Sequence, residues 1–204
     1  MELQGNAIVR TMKAMRSTFS SEKGAKEEVV SYPAYYNSKG WTELLTGYKG
    51  AAMRAFEKMA GDWLTDDTME GRLCDAVFAG ILCKDEKRGR KFAKRLRAWL
   101  EKENESGKNR YYNREKKHLW VEFLADYYTA PCEKLQEILD RGGRCEICHE
   151  CTNSACMELE AMRILLFLQM NQRKEAGELL ERNLKERPWD IYMLAIKHME
   201  FLPK

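Results

Sequence analysis

Apolar residues recur at helical spacing along almost the whole chain. Ile8, Met12, Met15 and Phe19 fall on one line and predict a helix over about 6–19, stopped by Ser20–Gly24. A short helical piece is expected near 26–30. Two helical stretches over about 34–46 and 49–63 are joined at Gly47. Asp67-Thr-Met-Glu70 fits a capping box that opens a helix over about 67–83. Leu73, Val77 and Ile81 form one line of it and Cys74, Phe78 and Leu82 the next, a wide apolar face that predicts deep burial. Lys84–Lys87 is a polar turn. Phe92, Leu96, Trp99 and Leu100 point inward from a helix over about 86–103, and Trp120, Phe123, Leu124 and Tyr127 from one over about 114–129. Pro131 suits the start of the next helix, Leu135, Ile138 and Leu139 its core and Gly142 its C-terminal cap. Helices over about 155–170, 173–186 and 190–201 complete the chain, the last two parted by Pro188 and Trp189.

Composition agrees with this pattern. Only 5 Val and 7 Ile leave little to build a sheet, and 4 Pro in 204 residues let helices run. The expected fold is all-α, eight or nine helices on mostly short connections, so that neighbours pack antiparallel. No basic end joined to an apolar run marks a secretory leader, and Ile164–Leu168 is too short to cross a bilayer. The expectation is a cytoplasmic protein with reduced thiols and no membrane contact.

Two segments share a finer layout. In 33–64, Tyr36, Gly40, the turn at Gly47, Ala52 and Phe56 follow one another; in 157–188, Phe167, Ala176, Leu180 and Pro188 stand at the corresponding places. A small residue early in the second helix lets two helices approach, and a bulky one a turn later fills the gap. The layout resembles the tetratricopeptide repeat, with Ile164 and Asn183 departing from its usual small residues. Between these segments, 65–156 holds two further repeats of about 34 residues plus loops at 104–113 and 143–154. The resemblance implies stacked helical hairpins over 33–204, with 1–32 as a separate N-terminal helical segment and 143–156 as a cysteine-rich insertion. It also implies a groove lined by first helices that takes a protein or peptide partner. Tyr36, Trp41, Trp120 and Tyr127 are the groove or core aromatics, Tyr36 and Trp41 being the partner-binding candidates and Trp120 the one assigned to the core.

Net charge is only +3, from 35 Lys plus Arg and 32 Asp plus Glu, so bulk attraction to nucleic acid or membrane is not implied. The charge is nevertheless uneven: residues 84–118 carry +8 and the rest −5. Lys87, Arg90, Lys91, Lys94 and Arg97 cover the outer face of one helix, with Tyr111 and Tyr112 in the loop beyond. Such a face suits an acidic partner surface, or phosphates with stacked bases.

Four of the 7 cysteines crowd together as Cys145, Cys148, Cys151 and Cys156, with His149 among them. Thiolates this close suit one soft metal ion. Structural zinc is the first expectation, with His149 as an alternative ligand. An iron–sulfur cluster comes second, because the spacing is one residue longer than the bacterial ferredoxin run and lacks its Pro. Free thiols, a disulfide, or haem on the CxxCH stretch are the other readings. Cys74, Cys83 and Cys132 belong to helices. No phosphate-binding glycine loop, dinucleotide fingerprint, HExxH or GxSxG occurs. The chain thus reads as a non-enzymatic scaffold, or alternatively as a metal- or redox-responsive regulator that contacts nucleic acid through 84–118.

Overall fold

The computed structural model describes residues 33–61, 66–106, 114–142 and 154–202. Every regular element among them is helical. In chain order these are α1 (Pro33–Leu45), α2 (Lys49–Met59), α3 (Asp66–Cys83), α4 (Glu86–Ser106), α5 (Arg114–Asp126), α6 (Cys132–Gly142), α7 (Ser154–Gln169), α8 (Arg173–Glu186) and α9 (Ile191–Ile196), the last running into a π-helical turn, Lys197–Phe201. The helices expected at 6–19 and near 26–30 lie outside the described residues.

Sequence-adjacent helices pair as hairpins: α1 with α2, α3 with α4, α5 with α6, α7 with α8. Three of the four turns are built alike. Gly47, Lys84 and Asn171 each take a left-handed conformation (φ 83°, 57° and 60°) just past a first helix. Each donates its N–H three residues back, to Leu44, Ile81 and Leu168, and the next residue donates five back, to Glu43, Gly80 and Phe167. Two orphan carbonyls at the helix end are thereby satisfied, the C-terminal cap most often built on glycine. Five residues after each left-handed position stands a small buried residue, Ala52, Gly89 or Ala176. The α3–α4 hairpin therefore keeps the layout of the two segments singled out in the sequence. The α5–α6 turn differs: the Asp126 carbonyl accepts from both Thr129 and Ala130.

Steric demands fix how these helices meet. A Cβ on Gly40 would lie 2.8 Å from the Phe56 ring, so the glycine admits the aromatic between α1 and α2. A Cβ on Gly80 would lie 2.7 Å from the Gly89 Cα, a backbone-to-backbone crossing that only glycine permits. Gly142, expected as a cap, is the last residue of α6, and a Cβ there would press to 2.7 Å from Leu159 of α7. Close approach, rather than capping, accounts for it. At the position of Asn183, where the repeat wants a small residue, the structure holds a buried polar clamp. Its amide donates to the Leu179 carbonyl at 2.9 Å and accepts from Arg187 at 2.8 Å.

A single apolar core runs through all hairpins, including Leu73, Val77, Phe78 and Leu82 of the helix expected to be buried. One feature departs from an open repeat array, in which each unit touches only its sequence neighbours. Helix α9 and the turn after it pack against α1 and α3, so the chain's end meets its first described hairpin. Tyr192 of α9 stacks edge-on with Trp41, Phe78 and Trp120 at 5.6, 5.3 and 5.6 Å between centroids. Glu200 receives Lys84 at 3.3 Å and Arg173 at 3.6 Å, tying the π-helical turn to two hairpin ends. Asp190 caps α9 by accepting the N–H groups of Tyr192 (3.0 Å) and Met193 (3.2 Å).

Candidate functional site

The first helices of the hairpins border a cleft. It has a volume of about 330 Å³ and is lined by Asn37 of α1, Glu70, Gly71, Arg72, Cys74 and Asp75 of α3, Trp120 of α5, Glu158 of α7 and Tyr192 of α9. Among the described residues, no second helix of a hairpin contributes. The contributions of α1, α3, α7 and α9 come from the N-terminal part of each helix.

The described lining combines two aromatic rings with four charged side chains. Glu70 and Glu158 are only 3% and 5% exposed. Asp75 accepts the indole N–H of Trp41 at 3.1 Å. Glu70 makes no hydrogen bond or ion pair to the described residues. The Asn37 Oδ1 and Arg72 Nε atoms are buried and lack a hydrogen-bond partner. Unmet polar atoms of this kind are costly in a fold's interior. Three carboxylates face one guanidinium, so the cleft is net negative. The Tyr192 phenol registers that field: burial pushes its pKa up, and the charges of Asp75, Glu158, Cys74 and Asp190 add to the rise.

Sequence reasoning placed Glu70 in a capping box. Helix α3 begins at Asp66, however, which puts Glu70 in the second turn, and its carboxylate opens into the cleft. The signal was present in another form. Glu70 continues the Leu73–Val77–Ile81 line, and Glu158 continues the line of Met162 and Leu165. An acid that extends an apolar stripe is a buried acid.

Of the partner-binding candidates, Trp41 takes the core alternative of its groove-or-core reading. It is 7% exposed and boxed by Phe56, Phe78 and Tyr192, so it belongs to the core. Tyr36 is half-buried beneath the Lys58 ammonium, 5.4 Å from the ring centre. Trp120 is in the core as expected and also walls the cleft.

The basic face of α4 is engaged by the protein itself. Arg88 pairs with Glu57 (3.0 Å) and Asp85 (2.7 Å), and Lys91 with Glu57 (3.7 Å), joining α4 to α2. Arg90 pairs with Glu86 at 2.6 Å, donates to the Tyr128 carbonyl at 2.7 Å and lies over the Tyr128 ring. Arg95 donates to the Ala60 carbonyl, and Arg97 to the buried Asp126, which also holds Lys134 at 2.9 Å. Lys87 and Lys94 are exposed and have no ion pair among the described residues. Tyr111 and Tyr112 lie outside them.

Cys145, Cys148, His149 and Cys151 also lie outside the described residues, and Cys156 falls in the first turn of α7. Among the described residues, no group of three or more His, Cys, Asp or Glu is placed to hold a metal ion. Cys74, Cys83 and Cys132 form no disulfide among the described residues. Burial pushes Cys83 up to about 12, against the pull of Lys49, so it is a structural thiol rather than a nucleophile. No helix among the described residues is long and apolar enough to cross a membrane.

No family model, curated protein or solved structure matches this chain. The tetratricopeptide resemblance therefore rests on the hairpin residues themselves.

Proposed function

We propose that this chain is a non-enzymatic protein-binding scaffold that holds its partner at the inner cleft. The observation that carries the proposal is a cleft whose described lining comes from the first helices and α9, with Glu70, Asp75, Glu158 and Arg72 among the residues around it. The tetratricopeptide resemblance adds a reason, since stacked hairpins present their first helices to a peptide. Here α9 occupies part of that inner side, and the partner meets what remains.

Gly71 supplies the test. It lines the cleft, and a Cβ there meets nothing within 4 Å. Gly71→Phe sets a large side chain at the cleft from an unobstructed Cβ and raises local helix propensity. Affinity capture compares this variant with the wild type and with Lys87→Glu/Lys94→Glu on the outer face. A discrete partner held by the wild type and the outer-face variant, and lost on Gly71→Phe, supports the reading. Retention on Gly71→Phe overturns it.

Nucleic acid gripped by the basic face is the contending proposal. It has less support, because Arg88, Arg90, Lys91 and Arg97 are each engaged by an acid of the chain. The cysteine spacing carries a separate proposal on sequence grounds: one structural zinc ion on Cys145, Cys148, Cys151 and Cys156, with His149 as alternative ligand. Stoichiometric zinc in protein purified under reducing conditions supports it, visible absorbance assigns an iron–sulfur cluster instead, and absence of metal rejects both.

A further inference from the structure

Among the described residues, α1 to α8 pair off as hairpins and α9 has no mate. A helix that only ends a repeat array covers the far side of the last hairpin. This one turns inward instead, leaving α8 at Pro188 and Trp189 and crossing to α1 and α3. It has six residues before the π-helical turn, too few to hold a helix by itself in water. Its conformation depends on the surface it lies on.

Two contacts mark its ends. At the first, Tyr192 stands edge-on among Trp41, Phe78 and Trp120, with Met193 and Ile196 fully buried beside it. At the second, Glu200 meets Lys84 at 3.3 Å and Arg173 at 3.6 Å. Arg173 also donates to the Glu200 carbonyl and lies over the Phe201 ring. The side chains of Lys84 and Arg173 are 66% and 58% exposed, so both cations stay hydrated whether or not the acid is present. Docking also carries a cost. Arg187 and Asp190 are buried at the root of the segment, where the Arg187 Nε and Nη1 and the Asp190 Oδ2 atoms make no hydrogen bond. Release hydrates them and removes that cost. A short unmated helix, held by one apolar face and a solvated clamp, can lift while the hairpins stay folded.

We propose that residues 190–201 are an internal ligand: a strap lying where a partner's helix docks, and yielding to a helix that carries the same pattern. That pattern is an aromatic residue followed eight positions later by a carboxylate, as in Tyr192 and Glu200. Trp41, Phe78 and Trp120 receive the aromatic, and Lys84 with Arg173 receives the acid. The inference rests on the scaffold reading and deepens it. Tyr192 lines the cleft, so its departure opens the cleft onto the inner side that the strap covers.

The test uses the full chain in two measurements. Native-state hydrogen exchange compares the amides of 191–201 with those of α3. The strap amides are expected to exchange at least about tenfold faster, and Glu200→Gln to speed them a further fivefold or so while leaving α3 unchanged. The second measurement titrates a labelled peptide copying residues 188–202. It competes with the chain's own strap, so its affinity for Glu200→Gln is expected to rise by the same factor of about five. The same peptide carrying Tyr192→Ala is expected to bind at least about tenfold more weakly. Strap amides that exchange only with α3 overturn the inference, as does a Glu200→Gln change that speeds every helix alike. Equal peptide affinity for wild type and Glu200→Gln, or no binding to either, also overturns it. Dimerisation of Glu200→Gln that excludes the peptide overturns it in favour of exchange between two copies. If the strap fails these tests while Gly71→Phe still abolishes partner capture, the strap is wrong and the scaffold reading stands.

Discussion

The outer face of α4 and the inner cleft are opposites. The outer face is rich in charge and largely satisfied: its arginines reach Glu57, Asp85, Glu86, Asp126 and two main-chain carbonyls. The cleft has few charged groups, and no ion pair joins Glu70 or Arg72 to another described residue. A charge that already has an acid or a base beside it is fastening helices, whereas the scaffold reading assigns the cleft's charges to a partner. Counting lysines and arginines along a sequence cannot separate the two, because two of the acids that engage them, Glu57 and Asp126, come from other helices.

The sharpest way to break the contrast is to remove the cleft's foundation. Phe78 is fully buried and touches Trp41, Trp120 and Tyr192. Phe78→Ala is expected to cost ~3–5 kcal/mol in urea unfolding. A loss below about 1 kcal/mol would mean that the aromatic cluster does not organise the helices that line the cleft.

On the outer side the largest effect falls at Asp126. Asp126→Ala strands Arg97 and Lys134. Because both cations reach solvent, a loss of ~1–3 kcal/mol is expected, rather than the full value for a buried pair. If stability were unchanged, the belt's arginines would not be fasteners and the contrast would fail.

Next comes Asp85, which accepts the Arg88 N–H at 3.1 Å and so caps α4. Burial works to raise its carboxyl, but the hydrogen bonds and charge of Arg88, with Lys87, outweigh that and hold it below the ordinary carboxylate value. A depressed folded-state pKa contributes stability that is present above the unfolded value of about 3.9 and is lost as pH falls through the lowered one. Asp85→Ala is therefore expected to cost about 1 kcal/mol at neutral pH and less in acid. Thermal unfolding across pH checks the sign.

The smallest effect belongs to Lys87→Glu/Lys94→Glu, expected within about 0.5 kcal/mol of the wild type, since these lysines hold no partner among the described residues. A large loss would assign them to the fastening network as well.

The hairpins were legible in the sequence because their determinants are local. Gly47, Ala52, Phe56, Ala176 and Leu180 sit at short spacings that a turn and a close crossing require. Only the polar turn and the repeat length mark the α3–α4 hairpin in the sequence, because its left-handed residue is Lys84 and its small residue is Gly89, neither in the commonest identity for its place. The return of α9 was not legible, since nothing near Tyr192 names Trp41 or Trp120 as its neighbours. The cleft is harder still: its described lining comes from five helices, four of which give one residue each. Only Glu70 and Glu158 left a trace, as acids prolonging apolar lines.

The most direct test of the account places a photo-crosslinking side chain at position 71, inside the cleft, and in a second protein at position 94, on the basic face. Irradiation in native extract is predicted to give a discrete protein adduct from position 71 and none from position 94. Adducts to protein or nucleic acid from position 94, with position 71 silent, would contradict it.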